Sequence, residues 1–325
     1  MENGTKLRLL YIYQYLLHNT DAEHPISTPE LMKYLKEAHG IDVNRTTLPN
    51  DFAMMDEAGF HCEVVRSRQN LYYFDDRTFD LAELRLLIDA VSSSRFIPPK
   101  KSEELIAKLE SLASVHQAKK LRRHVTVAGR VKADNDKVLY IVDILNNAID
   151  ARRKVRFQMT DYGLRKRKTL HKDGQVYTVS PYTLVWDGDY YYLVGFCDNY
   201  GEIRHFRVDR ILRVPEVLKN ERAVPAPSVF DPAEYSHKVF RMFGGDREAD
   251  VTLLCEANVM NGVIDQFGTQ VKTEVVDEGH FRAYVHVTLS PTFYRWVFGW
   301  GGRMKIESPD DVLEAYRDMA RKALA

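Results

Sequence analysis

Cysteine is scarce in this chain of 325 residues. The three cysteines, Cys62, Cys197 and Cys255, lie far apart, and no two of them have the CxxC spacing. Zinc modules and disulfide frameworks both depend on closely patterned cysteines. The sequence therefore indicates neither kind of site, and we expect three reduced thiols that serve as packing residues.

Long apolar runs are also absent. The apolar stretch nearest the N-terminus, residues 9–17, is interrupted by three tyrosines and a glutamine, and no small-residue cleavage site follows it. A membrane-spanning helix needs about 20 predominantly apolar residues. We therefore expect a cytoplasmic protein.

Neither sign of charge is in excess, since 46 Lys and Arg balance 46 Asp and Glu. An even spread of these charges would argue against a nucleic-acid partner. The spread is uneven, because residues 117–172 hold 16 basic and 5 acidic residues, whereas residues 1–75 hold 7 and 11. The length allows two or three domains, and the central one is expected to be basic.

Motifs of common hydrolases and metalloenzymes do not occur. The sequence has no HExxH, no GxSxG and no Cys/His pair in a recognisable context. Its histidines at positions 171, 205, 280 and 286 fall on predicted strands, where a structural role is commoner than a catalytic one. We expect no enzyme activity, no metal and no cofactor.

The best-patterned stretch of the chain is residues 176–214. Residues 190–196 are almost all aromatic or branched, which is typical of a half-buried strand. Asp187-Gly188 and Asn199-Tyr200-Gly201 supply turn residues on either side. Residues 203–210 then alternate, so that one strand presents cations on two faces.

This stretch resembles the WYL domain, a bacterial sensor module named after a Trp-Tyr-Leu tripeptide. The tripeptide position here reads Tyr191-Tyr192-Leu193. The motif positions that match around it are Pro181, Leu184, Val194, Gly195, Arg204, Phe206, Arg207, Asp209, Arg210 and Ile211. The resemblance implies a site for a nucleic-acid or nucleotide-like ligand.

Aromatic residues lie among the cations in and around this stretch, a combination that suits phosphate contacts and base stacking. The candidate ligand-binding residues are Arg156, Tyr162, Tyr182, Tyr192, Arg204, His205, Arg207 and Arg210. Several other interpretations stay open. A basic run such as residues 165–168 is more often a solvated face than part of a pocket. Residues 207, 209 and 210 could pair with one another instead of binding a ligand. Tyr192 is equally well interpreted as a core residue.

The first 75 residues predict three helices, over residues 5–19, 28–39 and 44–59, and then a hairpin over residues 60–74. Thr28 is the expected cap of the second helix and Gly40 its end. A third helix starting at Asn44 puts Pro49 beyond its first turn, where proline removes a hydrogen bond and kinks a helix.

This order resembles the winged helix-turn-helix domain, whose third helix enters the DNA major groove. The candidate DNA-binding residues are Arg45, Thr46, Thr47, Asn50, Arg66 and Arg68. Arg66 and Arg68 are expected at the tip of the wing. The alternative is that all of these are ordinary solvated residues around a packing helix.

Residues 76–136 predict amphipathic helices around residues 79–91 and 105–112, and another helix spans 137–150. These helices serve either as a dimerisation region or as a rigid spacer. Dimerisation is preferred, because a winged helix that reads two half-sites needs a two-fold partner.

The C-terminal region predicts a strand over 249–257, a helix over 259–267, a hairpin over 271–289, a helix over 291–298, a strand over 304–306 and a helix over 310–324. This order resembles the WCX extension that accompanies WYL domains. A short helix is also predicted over residues 235–243. Gly301-Gly302 is read as a turn, since the phosphate-loop spacing is missing.

Together these features predict an α+β multidomain chain. The expected domains are a winged helix-turn-helix over residues 1–75, a helical linker over 76–136, a small β-rich WYL domain over 137–225 and an α/β WCX domain over 240–325. The resemblance implies a homodimeric transcription regulator that binds operator DNA and responds to an anionic ligand. The alternative is a single-stranded nucleic-acid-binding protein of RNA or DNA-damage metabolism, with the N-terminus as an assembly domain.

Overall fold

A computed structural model gives the structure of the chain and describes residues 2–66, 69–122, 131–228, 231 and 247–324. The chain is mixed α+β and divides into two compact units, Met1–Asp136 and Lys137–Ala325. Within the described ranges, no helix has both the length and the apolar character needed to cross a membrane. The three cysteines are free thiols.

The first unit begins with helices and short strands in the order helix, strand, helix, helix, strand, strand. Their bounds are α1 Glu2–Asn19, β1 Ile26–Ser27, α2 Thr28–His39, α3 Leu48–Glu57, β2 Glu63–Val65 and β3 Leu71–Tyr73. The three strands form an antiparallel sheet in the order β1-β3-β2. Apolar residues of all three helices, among them Leu16, Leu31 and Leu48, are fully buried in one core with Tyr72.

Helix α2 begins at a capping box, which corrects the predicted cap. Ser27, not Thr28, accepts a hydrogen bond from the Glu30 amide, and the Glu30 carboxylate accepts one from the Ser27 amide. This reciprocal arrangement satisfies two amides that the helix leaves unpaired. Gly40 ends the helix in the left-handed conformation, at φ 65°, as predicted.

Helix α3 begins at Leu48, four residues after the predicted start at Asn44. Residues 45–47 form a turn instead, in which the Thr47 amide donates to the Asn44 carbonyl at 2.9 Å. Pro49 therefore lies in the first helical turn, where its missing N–H costs no hydrogen bond. The predicted kink is wrong for this reason.

Three further helices follow, α4 Leu81–Ser93, α5 Pro99–Glu110 and α6 Val115–Arg122. Asp80 and Glu83 form another capping box at the start of α4. Leu84, Ile88 and Leu121 are buried in a small shared core. The sequence predicted α4 and α5 but missed α6, whose eight residues show too little apolar periodicity to stand out.

The second unit starts with α7 Val138–Asp150 and a five-stranded antiparallel sheet. The sheet strands are β4 Arg153–Gln158, β7 Val176–Asp187, β8 Tyr190–Cys197, β9 Glu202–Arg207 and β10 Glu216–Arg222, in the order β10-β4-β7-β8-β9. Two short strands, β5 Thr160–Tyr162 and β6 Lys168–Leu170, form a separate hairpin. Helix α7 packs on β4 and β7 through its buried face, which includes Ile141 and Leu145.

The C-terminal part of this unit is a four-stranded antiparallel sheet with helices packed on one face. Its elements are β11 Glu248–Glu256, α8 Met260–Phe267, β12 Lys272–Val275, β13 His280–Thr288, α9 Pro291–Phe298, β14 Met304–Ser308 and α10 Asp310–Leu324. The order of strands is β12-β13-β11-β14. Strands and helices alternate as predicted. The short helix predicted over residues 235–243 lies outside the described residues.

Candidate anion-binding site

The site is built on β8 and β9, and β9 is one of the two edge strands of its sheet. Arg204 lies opposite Gly195 and Arg207 opposite Tyr192 in the β8–β9 register. Position 195 requires glycine, because a Cβ there would lie 2.3 Å from the Ser180 carbonyl oxygen. The close approach of β7 to β8 therefore fixes the sheet beneath the site.

A cavity of about 280 Å³ lies along β9. It is lined by Met159, Thr160, Asp161, His171, Lys172, Tyr177, Tyr192, Tyr200, Arg204, His205, Phe206, Arg207 and Arg210. Four of these side chains are Lys or Arg and four are Tyr or Phe. The cavity thus brings cations and aromatic rings together in one place.

Five of the predicted ligand-binding residues line this cavity, and three do not. The five are Tyr192, Arg204, His205, Arg207 and Arg210. Arg156 instead pairs with Glu216 across β4 and β10, at 3.0 Å. The Tyr182 hydroxyl donates to the Pro225 carbonyl at 3.2 Å, and Tyr162 is an exposed residue of β5. These three therefore stand outside the cavity.

Arg207 is the most firmly held cation of the site. Its Nε and Nη2 donate to the two carboxylate oxygens of Asp209, at 3.0 and 2.7 Å. Its guanidinium lies over the Tyr190 ring, 3.6 Å from the centroid. Burial acts to lower the pKa of Arg207, but the hydrogen bonds and charge of Asp209 outweigh it and raise that pKa, so the side chain is a fixed positive charge.

Arg210 lies on a 3₁₀ turn, Val208–Arg210, and not on the predicted continuation of the strand. The Thr160 hydroxyl donates to the Arg210 carbonyl at 3.0 Å and ties this turn to β5. The Arg210 side chain reaches Asp161, with Nη1 3.7 Å from the carboxylate. Asp161 also receives a short hydrogen bond from His171, so one carboxylate serves two basic groups at this edge of the cavity.

Arg204 combines an ion pair with a cation–π contact. Its Nε donates to Glu202 at 2.8 Å. Its guanidinium lies 3.9 Å from the centroid of the Tyr200 ring. Since Arg204 is exposed, the ion pair contributes little to stability, and the guanidinium is available to a ligand.

Lys172 and Tyr200 complete the site, and sequence reasoning missed both. Lys172 Nζ donates to the Tyr200 hydroxyl at 2.8 Å, and that hydroxyl donates to the Gln175 side chain at 3.3 Å. The hydrogen bond from Lys172 lowers the pKa of Tyr200. Burial, together with a hydrogen bond to Tyr200, raises the pKa of Tyr177. The two phenols are therefore unequal, and Tyr200 is the more acidic.

Tyr192 belongs both to the core and to the cavity wall. Its side chain is 8% exposed and packs in a cluster with Val194. Burial raises the pKa of its phenol. Its ring lies at 72° to that of His205, with centroids 6.2 Å apart. Tyr192 is therefore a core residue, as one interpretation of the sequence had it, and it also lines the cavity.

Four of the six candidate DNA-binding residues lie at or just before the start of α3. Arg45, Thr46 and Asn50 are exposed, whereas Thr47 is half-buried at the N-cap and makes no side-chain cap hydrogen bond. Arg66 is exposed at the end of β2, and Arg68 lies outside the described residues. Four of these side chains are thus open to solvent on the first unit.

Solved structures that are similar to this chain at low sequence identity include those of two proteins. One is proteasome accessory factor B/C (PafBC) of Arthrobacter aurescens, at 19% identity and a TM-score of 0.29, covering 97% of this chain and 46% of that one. The chain therefore spans about half the length of that protein. The other is a CRISPR Cas-related protein, at 12% identity and a TM-score of 0.38, covering 99% and 91%.

No curated protein matches the sequence. Family models do match it in two places, however. A WYL domain model matches residues 140–216, which include most of α7 and all the strands from β4 to β9. A WCX domain model matches residues 247–324. The chain therefore contains a WYL domain, which carries the cavity, followed by a WCX domain.

Proposed function

We propose that this protein is a ligand-responsive transcription regulator that binds operator DNA as a homodimer and whose WYL domain binds a nucleic-acid or nucleotide-like anion. The single observation that carries the proposal is the composition of the cavity. Lys172, Arg204, Arg207 and Arg210 share it with Tyr177, Tyr192, Tyr200 and Phe206.

The chemistry of this lining suits a nucleotide better than a simple anion. Cations bind phosphate oxygens, whereas aromatic rings and arginine planes stack on bases with little sequence preference. A volume of about 280 Å³ lies just below the usual range of small-molecule sites, which starts at about 300 Å³. We therefore propose a ligand that offers one nucleotide unit at a time, either free or as part of a single strand.

The proposed DNA-reading domain is residues 1–75, with residues 76–136 as linker or dimerisation region. The helix and strand order of the first unit supports a winged helix in which α3 enters the major groove. Exposed Arg45, Thr46 and Asn50 at the start of α3 suit contacts with phosphates and base edges. Regulation then requires that the ligand prefer one of two arrangements of the dimer.

The test measures two affinities of the full chain, one for duplex DNA selected from a random pool and one for a labelled single-stranded poly-thymidine DNA. Arg45→Ala and Asn50→Ala are expected to abolish selective duplex binding and to leave the single-strand affinity unchanged. Arg204→Ala and Arg207→Ala are expected to weaken single-strand binding, with duplex affinity near that of the wild type.

The matched control is Lys219→Met, which removes an exposed charge of β10 in the same domain. Single-strand binding without any selected duplex would support instead a single-stranded nucleic-acid-binding protein whose first unit serves in assembly. If Arg204→Ala and Arg207→Ala both leave single-strand affinity unchanged, the proposed ligand site is wrong.

A further inference from the structure

The cations of the cavity differ in the acceptor groups that they contact. Arg204, Arg207 and Arg210 each face a carboxylate of the protein, from Glu202, Asp209 and Asp161. Lys172 donates to a phenol hydroxyl instead. A neutral hydroxyl is a weaker acceptor for an ammonium group than a carboxylate or phosphate oxygen. An incoming anion therefore displaces the existing partner of Lys172 at a lower cost in free energy than the partner of any other cavity cation.

Lys172 is held in place by a backbone that a lysine rarely adopts. It has φ 44° and ψ 55° in the 3₁₀ turn His171–Gly174, and the next residue, Asp173, has φ 54°. A left-handed conformation is sterically disfavoured for a residue other than glycine, because its Cβ approaches the following carbonyl oxygen. The His171 amide ties the turn to the Met159 carbonyl at 2.9 Å. Such strain is often found at ligand sites.

Tyr200 contacts two of the cavity cations at once. Its hydroxyl accepts from Lys172, and Arg204 lies 3.9 Å from its ring centroid. The turn that carries it is fixed, because Asn199 accepts from the Thr178 amide at 3.0 Å and donates to the Val176 carbonyl at 2.9 Å. The contacts with both cations therefore depend on one side chain, carried by a fixed turn.

We propose that Tyr200 is a built-in competitor for the ligand, and that an anionic group binds by replacing the Tyr200 hydroxyl at Lys172. The Tyr200 ring occupies the place over Arg204 where a base stacks, and its hydroxyl occupies the place of a phosphate oxygen. This inference rests on the proposed function, because it assumes that the cavity takes a nucleotide-like ligand.

Tyr200→Phe tests the competition, since it removes the hydroxyl and keeps the ring over Arg204. The probe is the labelled single-stranded poly-thymidine DNA, titrated against the full chain. Its Kd is expected to fall about fivefold, because Lys172 no longer has to give up its hydrogen bond to the Tyr200 hydroxyl when the probe binds. Lys172→Met is expected to raise the Kd about tenfold through loss of a charge-assisted contact. Lys219→Met is the charge-matched control and is expected to leave the Kd unchanged.

A double-mutant cycle makes the test specific. If the hydroxyl acts through Lys172, Tyr200→Phe has no effect on the Kd in the Lys172→Met background. Circular dichroism and thermal unfolding of each variant check that the fold is kept. An increase or no change in the Kd of Tyr200→Phe, with Arg204→Ala and Arg207→Ala still weakening binding, overturns the competition and leaves the proposed site intact. If the wild-type chain does not bind the probe, or if those arginine variants match it, the proposed site fails and this inference fails with it.

Discussion

Arg8 of α1 and Asp51 of α3 are joined by two hydrogen bonds of 2.7 Å each, from Nε and Nη2 of the guanidinium to the two carboxylate oxygens. The Arg8 side chain is 11% exposed and that of Asp51 is 5% exposed. This pair fixes the start of α3 against α1. Asp51 directly follows Asn50, so the pair also sets the direction in which the exposed candidate DNA-binding residues point.

Arg8→Ala is expected to lower the free energy of unfolding of the first unit by about 3–5 kcal/mol, because it leaves the Asp51 carboxylate buried without its partner. Urea unfolding followed by circular dichroism measures the change. Lys36→Ala is the control, since it breaks an exposed pair with Asp42 at 3.1 Å and is expected to cost less than about 1 kcal/mol. Equal losses in the two variants would contradict the role given to the Arg8–Asp51 pair.

Gly195→Ala is expected to destabilise the WYL domain by about 1–3 kcal/mol, the usual cost of overpacking a core. The new Cβ lies 2.3 Å from the Ser180 carbonyl oxygen, and a backbone atom cannot swing away as the end of a long side chain can. The midpoint of thermal unfolding measures the effect. Gly279→Ala is the matched control, because its nearest atom within 4 Å, in Asp277, is at an ordinary 3.6 Å. A Gly195→Ala variant as stable as that control would show that β7 and β8 separate easily.

The strand unit of the WYL domain could be predicted because its signal is local. Alternating residues place His205 and Arg207 on one side of β9 and Arg204 on the other, and the structure agrees over Glu202–Arg207. The alternation then fails at Val208, where a 3₁₀ turn begins. Arg210 still reaches the cavity, but from that turn, which is anchored to β5 by the hydroxyl of Thr160.

The rest of the site depends on contacts between distant parts of the chain. Lys172 meets Tyr200 across 28 positions of sequence, and a left-handed lysine followed by a left-handed aspartate has no propensity signal to reveal it. Arg156 matched the strand pattern equally well, but the register of β4 with β10 sets it opposite Glu216. Side-chain partners of this kind follow from register, which the sequence alone determines only weakly.

The pH dependence of the WCX domain is expected to centre on His286. Its Nε2 lies 2.8 Å from Glu248 and its Nδ1 lies 2.7 Å from Asp250. The hydrogen bonds to Glu248 and then Asp250 raise its pKa above the ordinary value of 6.5. A raised pKa means that the protonated ring stabilises the folded state fully below pH 6.5, and that this contribution is lost as the pH rises through the folded-state pKa.

Proton NMR titration of the imidazole measures the pKa of His286. Thermal unfolding at pH values from about 6 to about 9, which start near the ordinary His pKa and extend well above it, measures the stability. The wild type is expected to lose stability as the pH rises through the raised pKa of His286. The His286→Gln variant is expected not to show this loss. The side chain is 43% exposed, so the effect is small. A His286 pKa at or below its ordinary value would contradict the prediction.

Arg207→Lys is expected to behave more like Arg207→Ala than like the wild type. Lysine keeps the positive charge but cannot donate two parallel hydrogen bonds to Asp209 or stack its flat face on Tyr190, 3.6 Å away. Asp209 has only 10% of its side chain exposed, so the partial loss of its hydrogen bonds is expected to cost about 1–3 kcal/mol. Chemical unfolding measures this cost, and titration with the single-stranded DNA probe measures the accompanying loss of affinity. Arg204→Lys is the control for the unfolding measurement alone, because Arg204 is exposed and its pair with Glu202 contributes little to stability. If Arg207→Lys matches the wild type in both measurements, Arg207 acts as a simple point charge, and the planar contacts with Asp209 and Tyr190 have no part in shaping the cavity.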